Sequence, residues 1–229
     1  MFLLDSQNFS IPMAFVDLIP VILFFISGLF LLNDLYNKLV KGNYALLATG
    51  VIMIFMAGLF KAIHKILAGA GVCDFVALSK CMFPMQSFGF VCLAIALIGI
   101  LYTKKGTETK TLVLTPIFLT PLFLEELVEY NSSLPFVIIQ VIAATVFYAM
   151  VFYIALKMKS ITSMILTVIA WVTMLTMGYL SSKFSDGDLK KLNWIAELVN
   201  IVSQGALLAS ILLLHKKGLN TFTFKKRGE

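Results

Sequence analysis

Seven long runs of apolar residues, joined by short loops, make up most of this 229-residue chain. An α-helix rises 1.5 Å per residue, so about 20 apolar residues are enough to cross the roughly 30 Å hydrocarbon core of a bilayer. Most of the runs have about this length. Because a spanning helix satisfies its backbone hydrogen bonds internally, the pattern predicts an all-α, polytopic membrane protein built as a seven-transmembrane-helix bundle.

The runs place the seven spans at about Ile11–Leu32, Tyr44–Leu67, Cys81–Tyr102, Thr111–Tyr130, Leu134–Leu156, Ile161–Leu180 and Leu192–Leu214. The fourth run differs from the others, because Pro116 and Pro121 interrupt it and only residues 111–124 are free of charge. It therefore either carries Glu125, Glu126 and Glu129 to the membrane interface or forms a bent or partial span.

The composition supports the same class. Hydrophobic residues are 60% of the chain, charged residues are 13%, and the mean hydropathy is +0.96, values outside the range of soluble domains. The spans use up almost the whole length, so we expect one transmembrane domain over residues 1–229 and any site within the bundle. The net charge of +6 does not indicate nucleic acid, since the lysines lie in short loops between spans.

The loop lysines also predict the orientation. Twelve basic residues fall on one side, which we take as cytoplasmic: Lys38, Lys41, Lys104, Lys105, Lys110, Lys157, Lys159, Lys216, Lys217, Lys225, Lys226 and Arg227. Six fall on the other: Lys61, Lys65, Lys80, Lys183, Lys190 and Lys191. The amino terminus is then outside and the first span is retained, because residues 1–10 lack the basic leader of a signal peptide. The excess of lysine over arginine favours a bacterial plasma membrane.

A weak internal repeat is one interpretation of two matched spacings. Asp74 precedes Lys104 by 30 positions, and Asp186 precedes Lys216 by the same 30. If these correspond, spans one to three and five to seven are parallel repeats joined by the fourth, a 3+1+3 arrangement. The alternative is chance recurrence of lysine pairs.

Four polar residues form a stripe on the seventh span. Trp194, Glu197, Asn200 and Gln204 cover an arc of about 120 degrees on an otherwise apolar helix. Polar side chains at membrane depth are costly and mark sites by default. The stripe therefore favours a cavity in the outer half of the bundle that binds a small polar solute or ion, with Trp194 as a stacking surface or an interfacial anchor.

Basic residues share one face of the second span. Lys61, His64 and Lys65 have i, i+3, i+4 spacing, and two neighbouring ammonium groups tolerate burial only with carboxylates opposite or with pKa values shifted toward neutrality. We predict that Lys61 pairs with Asp17 or Glu197. Lys65, nearer the end of the span, is expected to extend toward water.

Gln86 and Gln140 can either extend the polar cavity or hold two spans together through a hydrogen bond. The chain has two histidines and three cysteines without a Cys-x-x-Cys pattern, so we expect no multi-histidine metal site and no cofactor.

Three functions fit this pattern. The first is a small transporter, or the substrate-binding subunit of one, using Asp17, Lys61, His64, Gln86 and the stripe of the seventh span. The second is a seven-helix sensor of an extracytoplasmic ligand that signals through a partner subunit at its basic cytoplasmic face. The third is a lipid-modifying enzyme with Glu197 or Asp17 as acid or base, which we consider the weakest.

The arrangement of seven spans in a short chain resembles microbial rhodopsins, sugar uniporters of the SWEET type and vitamin transporters of the PnuC type in architecture only. A retinal pigment would hold a Schiff-base lysine in its last span, and Leu192–Leu214 contains none. A light-sensing pigment is therefore not expected. The proline pattern of SWEET-like repeats is also incomplete, because Pro20 has no counterpart in the middle of span five, and fold analogy alone does not carry function.

Overall fold

The computed structural model describes residues 11–73, 75–102, 134–182 and 189–222. We number its helices in chain order: α1 (Ile11–Leu35), α2 (Lys41–Gly69), α3 (Val76–Lys80), α4 (Met82–Tyr102), α5 (Leu134–Lys157), α6 (Ile161–Ser182) and α7 (Leu189–Lys216). The described residues contain no strand, so the all-α prediction is confirmed for this part of the chain.

Six of the predicted spans coincide with long helices, with bounds that agree to within three residues. In the described ranges, five segments are long and apolar enough to cross a membrane, and α6 contributes a shorter apolar stretch, Ile161–Met177. The predicted fourth span and its three glutamates lie outside the described residues, as do Asp74, Lys104 and Asp186. The count of seven helices and the internal repeat therefore stay predictions.

Glycines set the closest helix contacts. A Cβ added to Gly50 of α2 would lie 2.6 Å from the backbone oxygen of Gly89 on α4, so these two helices touch through their backbones. Gly28 of α1 instead leaves room for the side chain of Val51 on α2. Close approach at small residues is the usual basis of helix packing in lipid, where apolar area alone gives no driving force.

Hydroxyl groups join α6 to α7. Ser163 and Thr167 of α6 lie 2.7 and 2.8 Å from the Ser210 hydroxyl of α7, and Ser203 donates to the Ala170 carbonyl at 2.9 Å. All four hydroxyl side chains are buried. Along α6 the bonded residues run from 163 to 170, while their partners on α7 run from 210 back to 203, so the two helices are antiparallel.

Two pairs of helices run in the same direction. Phe90 of α4 packs edge-on against Phe147 of α5 with ring centroids 6.1 Å apart, while Gln86 and Gln140, nearer the start of each helix, are hydrogen-bonded. α1 and α7 are also parallel. Asp17 and Glu197, near the starts of the two helices, both contact Lys65, while Asp34 and His215, near their ends, contact each other. The starts of α1 and α7 and the end of α2 thus share one end of the bundle.

The surface of the helices is apolar. Exposed large hydrophobic side chains occur on all the long helices, among them Phe15, Ile52, Ile95, Ile138, Ile165 and Leu198. A soluble protein would not leave so many apolar side chains in water, whereas a bilayer covers them. The structure thus supports an integral membrane protein in contact with lipid.

Candidate functional site

Four charged side chains meet where α1, α2 and α7 converge. We call Asp17, Lys61, Lys65 and Glu197 the charged quartet. Its acidic members come one from α1 and one from α7, and both of its lysines come from α2, spaced i, i+4 so that they point the same way. Two positive and two negative groups face each other, so the quartet is electrically balanced when all four are ionised.

Lys65 is the centre of the quartet. Its ammonium donates a hydrogen bond to Glu197 Oε1 at 3.2 Å and makes a closer ion pair with Asp17 Oδ2. Lys61 is held more loosely, with its Nζ 3.6 Å from Glu197 Oε1 and 3.9 Å from Asp17 Oδ1. The predicted pairing of Lys61 with a carboxylate is therefore confirmed, and it involves both acidic partners.

Lys65 is more buried than Lys61, which is the opposite of the expected order. The side chains of Lys65, Asp17 and Glu197 are 5%, 4% and 3% exposed, whereas Lys61 is 27% exposed. The expectation that Lys65 extends toward water is thus wrong. The reason is that α2 continues to Gly69 and still lies against α1 one turn beyond Lys61, where Asp17 of α1 and Glu197 of α7 both reach Lys65.

Local features of α1 and α2 prepare this site. Pro20 lies inside α1, three residues after Asp17, and has no N–H to donate to the carbonyl of Val16. A backbone acceptor is therefore left without its helical partner one turn from the quartet. His64 is buried on α2 directly before Lys65, so a third nitrogen-bearing side chain lies within the same turn.

The remaining residues of the α7 stripe lie along the helix that carries Glu197. Trp194, Asn200 and Gln204 are half-buried. The Gln204 side-chain oxygen is itself fully buried and has no hydrogen-bond partner, and the second carboxylate oxygen of Glu197 is in the same state. Unsatisfied buried acceptors are uncommon in folded proteins, so each is a position where a donor from a solute could bind. Their role as ligand contacts stays a prediction.

Gln86 and Gln140 bond to each other. The Gln140 amide donates to Gln86 Oε1 at 3.1 Å and joins α5 to α4. Of the two roles considered for these glutamines, the structure shows the interhelical hydrogen bond. The Gln140 oxygen is buried without a partner, as at Gln204.

The hollows in the described part of the chain include two that lie away from the charged quartet. One, of about 10 Å³, lies between α1, α2, α4, α5 and α7 and has an apolar lining with Ser27 as its polar member. The other, of about 330 Å³, is an open depression at the turn between α1 and α2, lined by Tyr36, Asn37, Leu39, Lys41 and Tyr44. Neither includes a member of the quartet, and the first holds one water at most.

A histidine–carboxylate pair joins the other ends of α1 and α7, and the sequence analysis did not predict it. His215 Nδ1 lies 2.8 Å from Asp34 Oδ1, and the Asp34 side chain is fully buried. The sequence analysis gave neither residue a role. The available signal was Asp34 itself, since an acidic residue in the last turn of a helix is unfavourable unless a cation faces it.

The acidic residues of the described ranges have a common location. These ranges contain three, Asp17, Asp34 and Glu197. All three are buried at the contact of α1 with α7, and each has a lysine or histidine side chain as its partner. No group of three or more His, Cys, Asp or Glu side chains in the same ranges is arranged to hold a metal ion.

No protein-family model, no curated protein and no solved structure matches this chain. What the protein does must therefore be argued from the geometry of its buried charged groups.

Proposed function

We propose that this protein is a small membrane transporter, or the substrate-binding membrane subunit of one, that carries a small polar solute or ion and uses the charged quartet in its site. One observation carries the proposal: four ionisable side chains from three membrane-spanning segments lie in mutual contact, three of them almost fully buried.

The energetic argument concerns what such a cluster costs. Removing an ion from water costs several kcal/mol even after relaxation, and a buried ion pair is often no more stabilising than apolar residues of the same volume. Helices can be joined stably without burying charged groups, as the glycine contact of α2 with α4 illustrates, so stability alone does not require a charged cluster between α1, α2 and α7. Ionisable groups within membrane spans are typical of solute and ion pathways.

The two carboxylates lie closer to Lys65 than to Lys61, and this difference suggests how a solute binds. Lys61 has no contact shorter than 3.6 Å to a carboxylate in the quartet and keeps about a quarter of its side chain exposed. A cationic group can take its place beside Asp17 and Glu197, or an anionic group can pair with it, while Lys65 holds the carboxylates in position. The unpaired oxygens of Glu197 and Gln204 then supply acceptors for a donor group on the solute.

Binding also requires a change in packing. The interior hollow beside α1 and α7 is about 10 Å³, far below the 300 Å³ or more of an ordinary ligand pocket. The described arrangement then corresponds to a closed state of the carrier, and the solute enters when α1 and α7 separate.

The test combines binding with uptake. Purified protein is screened for thermal shift against metabolites and inorganic ions, and hits are assayed for uptake into proteoliposomes. Glu197→Gln and Gln204→Ala should fold but lose at least tenfold in ligand response, since each removes a polar contact in a water-poor site. Asn33→Ala, an exposed amide on α1, is the matched control and should respond like wild type.

The outcomes separate the competing functions. Uptake that depends on Glu197 supports a carrier. Binding without uptake, together with a co-purifying partner, supports the sensor or a transporter subunit. A full ligand response in well-folded Glu197→Gln and Gln204→Ala would show that this surface is not the site.

A further inference from the structure

The contact between α1 and α7 is closed by charged pairs at both ends. Asp17 and Asp34 are 17 residues apart on α1, and Glu197 and His215 are 18 apart on α7. At 1.5 Å per residue the two pairs are separated by roughly 26 Å, nearly the thickness of the hydrocarbon core. Between them the contact is apolar and includes the hollow of about 10 Å³ lined by Phe24, Leu31, Leu207 and Ile211.

The Asp34–His215 pair has the form of a proton-binding site. Asp34 is inaccessible, and its second oxygen, Oδ2, is buried without a hydrogen-bond partner. His215 is 32% exposed, so protons from water can reach the imidazole. The edge of the Phe30 ring packs on the imidazole at 5.0 Å and fixes its orientation toward Asp34. Histidine is the side chain whose charge ordinarily changes between pH 5 and 8.

The charged neighbours at this end are basic. Lys216 and Lys217 follow His215 and are exposed, and Lys217 donates to the Lys159 carbonyl at 2.8 Å. Lys41, at the start of α2, and Lys157, at the end of α5, are exposed as well.

Lys38 lies closest to the acidic partner. Its ammonium donates to the carbonyl of Phe222, and partial burial lowers the pKa of Lys38 although Asp34 opposes this effect. Within the described residues Asp34 is the one carboxylate at this end, and His215 is its direct cationic partner when protonated.

We propose that Asp34 and His215 form a proton-binding site of this protein, and that the bound proton holds this end of α1 and α7 together. With His215 protonated, the pair is a buried, hydrogen-bonded ion pair. When the proton leaves, His215 still donates one hydrogen bond, but a bare carboxylate with an unsatisfied oxygen remains in an apolar contact. The closed arrangement then loses stability relative to one in which water reaches Asp34. This proposal does not depend on what the charged quartet binds.

Hydrogen exchange measured by mass spectrometry tests it on the full chain in lipid nanodiscs. Exchange is followed at pH 5.5 and 8.5, corrected for the intrinsic chemical rate, in peptides covering the last two turns of α1 and of α7. In wild type the corrected rate should be at least threefold faster at pH 8.5. Asp34→Asn and His215→Gln should each abolish this dependence, because neither retains the ionisable pair. Lys216→Gln, the exposed neighbour, should keep it.

Two further results would overturn the proposal: a wild-type rate that is independent of pH after correction, or a dependence that survives in both pair variants. Because Asp34 is fully buried, Asp34→Asn can lose folded protein. In that case the half-exposed His215→Gln decides the test together with its Lys216→Gln control. Failure of the solute screen leaves this result unaffected, so the two proposals are tested separately.

Discussion

The charged quartet predicts an order of stability among three lysine variants that differ in burial. Lys65→Met removes the ammonium that contacts both Asp17 and Glu197, while Lys61→Met removes one that lies 3.6 and 3.9 Å from them. Lys80→Met removes an exposed ammonium at the end of α3, the short helix that follows α2, and is the matched control. All three variants exchange the same two residue types.

The magnitudes follow from burial and contact. Removing one partner of a buried ion pair costs about 3–5 kcal/mol, because the remaining charge is left in a poorly solvated site. For a chain of this length that is a fall in melting temperature of roughly 6–20 °C. Lys61→Met should cost only about 1 kcal/mol, since its contacts to the carboxylates exceed hydrogen-bond length and Lys65 still contacts both carboxylates. Lys80→Met should change stability by less than about 0.5 kcal/mol.

The assay is reversible unfolding in mixed detergent micelles, followed by circular dichroism. A double variant, Lys65→Met with Glu197→Gln, removes one positive and one negative charge and should be less destabilised than the sum of its single variants by about 1 kcal/mol or more. Equal melting temperatures for Lys65→Met and Lys80→Met would refute the buried quartet. A larger loss for Lys61→Met than for Lys65→Met would refute the assignment of Lys65 as its centre.

Two further predictions concern packing and orientation. Gly50→Ala should destabilise the bundle by about 1–3 kcal/mol, because its Cβ would meet the Gly89 carbonyl at 2.6 Å. Gly205→Ala, with open space around its Cβ, is the control and should be neutral or stabilising. Unfolding midpoints in detergent compare the two variants, and equal losses of stability would contradict the backbone contact. A fluorescent protein fused to the carboxyl terminus should fluoresce in cells, because the excess of basic residues in alternate loops predicts that this terminus is cytoplasmic. Fluorescence restricted to an exported fusion would reverse the predicted orientation.

The helices were predictable because the bilayer sets their length. Apolar run length alone located six of the long helices to within a few residues, and the spacing of Lys61 and Lys65 correctly indicated that carboxylates face them. These inferences need only local pattern and the cost of burying charge.

What the sequence could not give was depth and pairing across helices. The position of Lys65 near the end of an apolar run predicts an exposed side chain. Its burial depends instead on where α1 and α7 place Asp17 and Glu197, which is not a local property of the sequence. Asp34 and His215 are 181 positions apart, and they meet because α1 and α7 are parallel. The predicted count of seven spans already makes the first and the last parallel, but no periodicity within either segment shows that they are neighbours.

The helix contacts of this bundle differ in how readily they can open. The contact of α2 with α4 is made by backbones touching at Gly50 and Gly89, and α6 is joined to α7 by buried hydroxyl bonds around Ser210. Separating either would expose backbone or hydroxyl groups to lipid, with no group that changes charge to compensate.

The contact of α1 with α7 is of another kind, because ionisable pairs close both of its ends and a small hollow interrupts its apolar centre. A solute or ion can replace partners in the quartet, and a proton can leave the pair of Asp34 with His215. Either event changes the free energy of this contact and leaves the glycine and hydroxyl contacts as they are. If the protein is a carrier, the two ends of the α1–α7 contact are therefore where its gates are expected, with α6 and α7 moving together relative to α1, α2 and α4.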